Sequence, residues 1–182
     1  MTAPEITTLA TRIAYANKWM SVREDKVRFA DGHESIYGVV DKPDFVLVIP
    51  IHADGKIQLV EQFRYPVGRR FWELPQGGWP PERGAAPVEV AHGELAEETG
   101  LRAGSMDLLG HFHQACGLIN QGYHAFVATD LSPGPVNREV EEQGMISDAF
   151  SLDDIIAMIG AGQIKDAPTI AALGYLRLLG RL

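Results

Sequence analysis

The 182-residue chain has a single cysteine, Cys116. No intrachain disulfide can form, which favours a reducing compartment, and the residue reads as a small apolar filler. No apolar run approaches the roughly 20 residues that span a bilayer. The stretch Met1-Thr-Ala-Pro-Glu5 has no basic region ahead of an apolar one, so no export signal is visible and a cytoplasmic setting away from membranes is expected. Positive charge is short as well, with 16 Lys and Arg against 24 Asp and Glu, a formal net charge of −8 and no dense basic stretch. A phosphate-tracking nucleic-acid binder needs a basic face, so that class is not expected. Gly77-Gly78 is not followed by a Gly-Lys-Ser/Thr triplet, which excludes a P-loop. His52, His92, His111, His113 and His124 form no helical pair at the spacing zinc sites use, and no zinc site is expected.

What is present suits one ordinary globular fold: 46% hydrophobic residues, 22% charged, and 19 glycines with 11 prolines to serve frequent turns. Residues 19–29 and 35–40 read as strands joined by a hairpin at Asp31-Gly32. Phe45–Ile51 is a continuous apolar run, expected to be a strand buried on both faces. Residues 57–63, 71–74, 106–109 and 123–128 read as further strands, and Gln76–Gly84 as a loop. Pro87–Thr99 is a helix with proline in its first turn, Gly100 as its end, and Val88, Ala91 and Leu95 turned to the sheet. Ser151 caps a second helix, and Asp166-Ala-Pro-Thr169 opens a last one that runs to Leu179. Strands interleaved with few helices predict an α/β or α+β sandwich, not a doubly wound parallel sheet.

The chemistry concentrates in Gly93-Glu-Leu-Ala-Glu-Glu-Thr-Gly-Leu101. Glu94, Glu97 and Glu98 stand three and four residues apart and so share one helix face. Crowded carboxylates repel one another. Helix stability gives little reason to cluster them, whereas a hard divalent cation with oxygen ligands gives a good one. The competing reading is a solvated acidic face.

The context of this cluster resembles the Nudix hydrolase family, whose box runs G-x5-E-x7-R-E-U-x-E-E-x-G-U with U aliphatic. Its second half stands here as Glu94-Leu-Ala-Glu-Glu-Thr-Gly-Leu101. The first half departs: Gly93 holds the arginine position, Ala85 the middle glutamate position with Glu82 nearby, and Trp79 the opening glycine position, for which Gly77 fits better if the loop holds two extra residues. Glu61-Gln-Phe-Arg-Tyr-Pro-Val-Gly68 and Trp72-Glu-Leu-Pro-Gln-Gly77 are similar to the ADP-ribose pyrophosphatase-like branch.

That resemblance implies a Nudix-type α/β/α sandwich with a mixed sheet (residues 43–182), preceded by a small antiparallel sheet (residues 1–42) used for dimerisation and base binding. It implies Glu94, Glu98 and the Gln76 carbonyl as metal ligands, with Glu97 a ligand or a partner of metal-bound water, and Mg2+ or Mn2+ as the ion. Arg64 and Glu73 fall at substrate-binding positions, and a guanidinium suits bidentate phosphate recognition. Trp19, in Asn17-Lys-Trp-Met-Ser-Val22, matches a residue that stacks on adenine, with Tyr37 a second aromatic. Cys116–Ala128 is similar to the branch's loop and following strand. Glu141 or Glu142 matches a catalytic glutamate that serves the attacking water.

The implied activity is metal-dependent hydrolysis of the diphosphate bond of a nucleoside diphosphate linked to X. ADP-ribose, giving AMP and ribose 5-phosphate, is the expected substrate, with FAD, NADH or GDP-mannose as alternatives. A homodimer is expected. The missing box arginine also leaves open a catalytically weak nucleotide sensor.

Overall fold

The computed structural model describes residues 4–79, 84–135 and 144–182, among which no helix is long and apolar enough to cross a membrane. The chain divides into two compact units.

The first gathers the chain up to Asp44 with His113–Gly122. Strands β1 (Ile6–Ala16), β2 (Ser21–Phe29) and β3 (Glu34–Asp41) form an antiparallel sheet in the order β1-β2-β3. Gly32, with φ of 89°, makes the expected hairpin turn, and the His33 N–H donates to Asp31 Oδ1 at 2.9 Å. Strand β1 falls within the expected N-terminal sheet, but the residue pattern does not single it out as a strand. Irregularities between Thr8 and Ala10 and between Ile13 and Tyr15 break its alternation, and all its residues are exposed, so no period-2 signal survives. Residues 113–122 join through main-chain bonds from Val40 to Leu118 at 3.0 Å and from Asn120 to Val40 at 3.2 Å. Cys116 lies here and is exposed, which corrects its reading as a buried filler.

The second unit holds Phe45–Phe112 and Tyr123–Leu182. Its mixed sheet runs β7 (Gln76–Gly77), β4 (Phe45–Pro50), β9 (Gly122–Pro133), β8 (Leu101–His113), with β4 parallel to β9 and antiparallel to β7. A second, antiparallel sheet runs β10 (Ile146–Phe150), β5 (Ile57–Arg64), β6 (Arg69–Glu73). The apolar run of β4 serves two cores. Val46 and Val48 pack with Val90, Ala91 and Leu95 of helix α1 (Pro87–Thr99). Leu47 and Ile49 pack on the other side with Ile155 of α2 (Leu152–Gly160) and Leu173 and Leu176 of α3 (Ala167–Leu178). The result is the expected α/β/α sandwich.

Local signals hold at the helix ends. Pro87 opens α1, Glu89 accepts the Ala86 N–H at 2.8 Å, and Gly100, at φ of 73°, closes it. Ser151 and Asp166 cap α2 and α3 by accepting from Asp154 N at 3.2 Å and Thr169 N at 2.9 Å. One expectation is corrected: Val88 is 37% exposed, and Val90 takes its place against the sheet. At about 100° per residue the buried arc of α1 runs from Val90 to Leu95 and encloses Glu94 and Glu98, leaving Val88 at its rim. The helix is rolled toward its carboxylates.

Candidate active site

The strap from β6 into β7, Glu73-Leu-Pro-Gln-Gly77, is pinned by its own backbone. Leu74 N–H donates to the buried Thr169 hydroxyl at 3.0 Å, Val48 N–H donates to the Pro75 carbonyl at 2.9 Å, and Leu47 pairs with Gln76. These bonds draw α3, β4 and the strap into one frame. Proline fits at 75 because its missing N–H is not asked for there.

Helix α1 meets this strap with carboxylates. Gln76 N–H donates to Glu98 Oε2 at 3.2 Å, and the Gln76 side-chain amide donates to Asp166 Oδ2 at 3.2 Å. Glu94 lies against Gly77: a Cβ on Gly77 would stand 2.7 Å from Glu94 Cδ, so any side chain there would displace the carboxylate from this position. Glu94 and Glu98 are 5% and 2% exposed, and Glu97, one step around the helix, is half-buried. Burying two carboxylates on one face is costly unless cations or hydrogen-bond donors compensate. An all-oxygen donor set of this kind, beside a main-chain segment, fits a hard divalent cation.

Arg64 and Glu73 form the second part. Arg64 Nε donates to Glu73 Oε2 at 3.1 Å and Nη2 to Oε1 at 2.5 Å, while Gln62 Nε2 adds a bond to Oε1 at 2.6 Å. Glu73 is 1% exposed, and its burial pushes the carboxyl above the usual range; the Arg64 guanidinium opposes that push and the Asp166 charge adds to it. Both oxygens of Glu73 are thus engaged by Gln62 and Arg64 of the neighbouring strand.

Gln76, Glu73, Arg64, Glu94 and Glu98 are therefore brought together around one strap. Asp166 and Thr169 belong to the same frame. Sequence reasoning took Asp166 only as a helix start; the Asp-x-Pro-Thr signature was visible, but not that its carboxylate also takes the Gln76 amide. His92 is exposed and takes no part in the arc. Glu82, Glu141 and Glu142 lie outside the described residues.

Trp19 and Tyr37 belong to the first unit and are 54% and 43% exposed. Asn17 Oδ1 accepts the Trp19 and Met20 N–H groups at 2.7 and 2.9 Å, and Lys18 Nζ sits 4.2 Å from the Trp19 ring centre. Tyr37 pairs with Asp25, four residues along from the Ser21 end that Trp19 precedes, or about 13 Å. The two residues stand at different levels of one ribbon.

Comparison with known proteins gives a consistent result. Residues 41–173 match the NUDIX domain, and residues 6–40 match the nucleoside diphosphate sugar hydrolase N-terminal domain. The chain is 30% identical over 179 residues to the ADP-ribose pyrophosphatase of Bacillus subtilis (strain 168), covering 98% of this chain and 96% of that protein. It is 31% identical over 177 residues to the methanol dehydrogenase activator of Bacillus methanolicus, covering 94% and 92%. A crystal structure of an ADP compounds hydrolase superposes with a TM-score of 0.85 over 100% of both chains at 20% identity, a likeness of fold.

Proposed function

The chain belongs to the Nudix family as a pyrophosphohydrolase of its ADP-ribose pyrophosphatase-like branch, and from that premise we propose that it hydrolyses the diphosphate bridge of ADP-ribose to AMP and ribose 5-phosphate. The observation that carries the reading is the convergence of the Glu94 and Glu98 carboxylates on Gln76-Gly77, three residues beyond the Glu73 that grips Arg64.

Glu94, Glu97, Glu98 and the Gln76 main-chain carbonyl would hold Mg2+ or Mn2+, which when bound supplies neutralisation of the diphosphate oxygens and a more acidic water. Arg64, oriented by Glu73, offers its half-exposed guanidinium to a phosphate. Glu142, or Glu141, aligns the attacking water and takes its proton. Water adds to one phosphorus, the bridging P–O bond breaks, and the leaving phosphate departs with the electron pair. Trp19 and Tyr37 present flat faces for the adenine. Their different levels on one ribbon favour rings contributed by two copies, so the first unit serves as the dimer and base-binding part of a homodimer.

The test is turnover of ADP-ribose, FAD, NADH, GDP-mannose and a nucleoside triphosphate with Mg2+, beside Glu98→Gln. Magnesium-dependent release of AMP from ADP-ribose is expected, with at least about a hundredfold loss in the folded variant. A variant at the wild-type rate would sink the ligand assignment. Preference for GDP-mannose or a dinucleotide would keep the chemistry and replace the substrate. Saturable binding with no turnover of any of them would instead favour a nucleotide sensor.

A further inference from the structure

Strap and helix interlock at two glycines. Gly77 leaves the space in which the Glu94 carboxylate lies. Gly93, the residue before Glu94, leaves the space in which the Trp79 indole lies: a Cβ there would stand 2.9 Å from Cη2 and 3.0 Å from Cε2, and nearer still to Cζ2. A flexible side-chain tip could move away from such an approach; the flat, half-buried indole, packed against the apolar core shared by β4, β9 and α1, has little room to do so. Glycine inside a helix is normally disfavoured relative to alanine. Gly93 has no positive φ to justify it, so the indole supplies the reason. The carboxylate therefore reaches the strap two residues before the tryptophan that reaches the helix. In the family's pattern position 93 carries an arginine; here that volume goes to an aromatic wedge.

We propose that Trp79 is a positioning residue for the carboxylate site: seated in the space Gly93 leaves, its indole sets the spacing between the strap and α1, so that the Gln76 main chain and the Glu94 and Glu98 carboxylates meet on one cation. This rests on the metal reading given above. Loss of the wedge changes how well the ligands converge while leaving Arg64 untouched.

The experiment is direct calorimetric titration of the full chain with Mn2+, without substrate, for wild type, Trp79→Ala, Trp79→Phe, Gly93→Ala and the double variant Trp79→Ala with Gly93→Ala. Trp79→Ala should weaken Mn2+ by about tenfold or more, as loss of a group that orients ligands does. Trp79→Phe should recover most of it. Gly93→Ala should weaken binding in the wild-type background and have no further effect once the indole is gone, a non-additive cycle. The KM for ADP-ribose at saturating Mn2+ should not change. If Trp79→Ala does not fold by near-ultraviolet circular dichroism, the same cycle is run on Trp79→Phe, whose smaller ring relieves the crowding.

Wild-type protein that binds no Mn2+ overturns the metal reading and the wedge together. Wild-type binding with an unaltered Trp79→Ala affinity, additive effects in the cycle, or a change in KM alone overturns the wedge and leaves the metal reading standing.

Discussion

Arg64 and Glu73 meet along the β5–β6 hairpin with two bonds of 3.1 and 2.5 Å, the carboxylate 1% exposed and the guanidinium 40% exposed. The anion is thus sealed in while the cation keeps an open edge. Charge-assisted bonds of this type contribute about 1.5–3 kcal/mol, so Arg64→Met should raise the KM for ADP-ribose by about ten- to a hundredfold. Its pH behaviour has a definite sign. Burial already raises the Glu73 carboxyl, and removing Arg64 takes away the influence that holds it down. A raised folded-state value means stability that is complete at acid pH and lost as pH rises through that value. Urea melts of Arg64→Met should therefore show a larger deficit from wild type at pH 8 than at pH 4; an equal deficit would count against the pair.

Gly77→Ala tests the approach of Glu94 to the strap. The new methyl would overlap the carboxylate, with Glu94 Cδ at 2.7 Å from the Cβ, so the side chain must turn away. A ligand displaced by about 1 Å costs on the order of a hundredfold in rate. Turnover should fall by that order while the melting temperature falls little, since Gly77 is at the end of a two-residue strand. A variant that keeps its rate would show that Glu94 does not need this position.

The outcome for the sequence reading divides along physical lines. The ends of helix α1 were legible to the residue because proline and glycine mark them, whereas its apolar period misplaced Val88, whose position on the sheet Val90 takes. The doubly buried β4 was legible from its unbroken apolar run. Strand β1 was not, because its bulges and full exposure remove the alternation that marks a strand. β7 was hidden in a loop of glycine and proline; it owes its existence to pairing with Val46 and Leu47, which are distant in sequence. The Glu94, Glu97, Glu98 spacing pointed to one face, but that Gln76 N–H would meet Glu98, or that an indole would fill the gap at Gly93, depends on side chains brought together only by the fold. Asp166 shows the same limit: its capping role is local and readable, its bond to Gln76 is not.

Glu34 gives a prediction for the first unit. Hydrogen bonds from Lys26 and Arg28 hold its carboxyl at about 2, against an ordinary value of 4.5. Lys26 Nζ lies 2.6 Å and Arg28 Nη2 2.7 Å from its oxygens. A depressed folded-state value contributes stability that is present above the unfolded value and disappears as pH falls through the folded one. Because these groups are solvent-exposed and screened by salt, the contribution is small. Glu34→Gln should melt slightly below wild type at pH 7 and low ionic strength, and the difference should vanish as pH drops from 4.5 toward 2. A gap that is constant across this range would assign the effect to packing.

The exposed apolar residues of β1 carry the last prediction. Ile6, Leu9, Ile13 and Tyr15 are 41%, 37%, 56% and 54% exposed, on a strand that stands at the edge of its sheet. An uncovered edge with this much apolar surface invites pairing with another chain, and proteins ordinarily blunt or cover such edges. Here Arg12, tied to Glu24 at 2.9 Å, is the one charged side chain in β1. A second copy covering β1 would bury the apolar residues, and in the dimer proposed above it would also supply an aromatic residue to the base. Sedimentation velocity should show a wild-type dimer and an Ile13→Glu monomer with unchanged far-ultraviolet circular dichroism. The monomer should keep its Mn2+ affinity, because Glu94 and Glu98 lie in the other unit. Its KM for ADP-ribose should rise while a substrate without a base loses nothing, since only base contacts depend on the partner. A wild-type monomer, or an Ile13→Glu dimer, would mean that β1 is covered in some other way and that the base is held within a single copy.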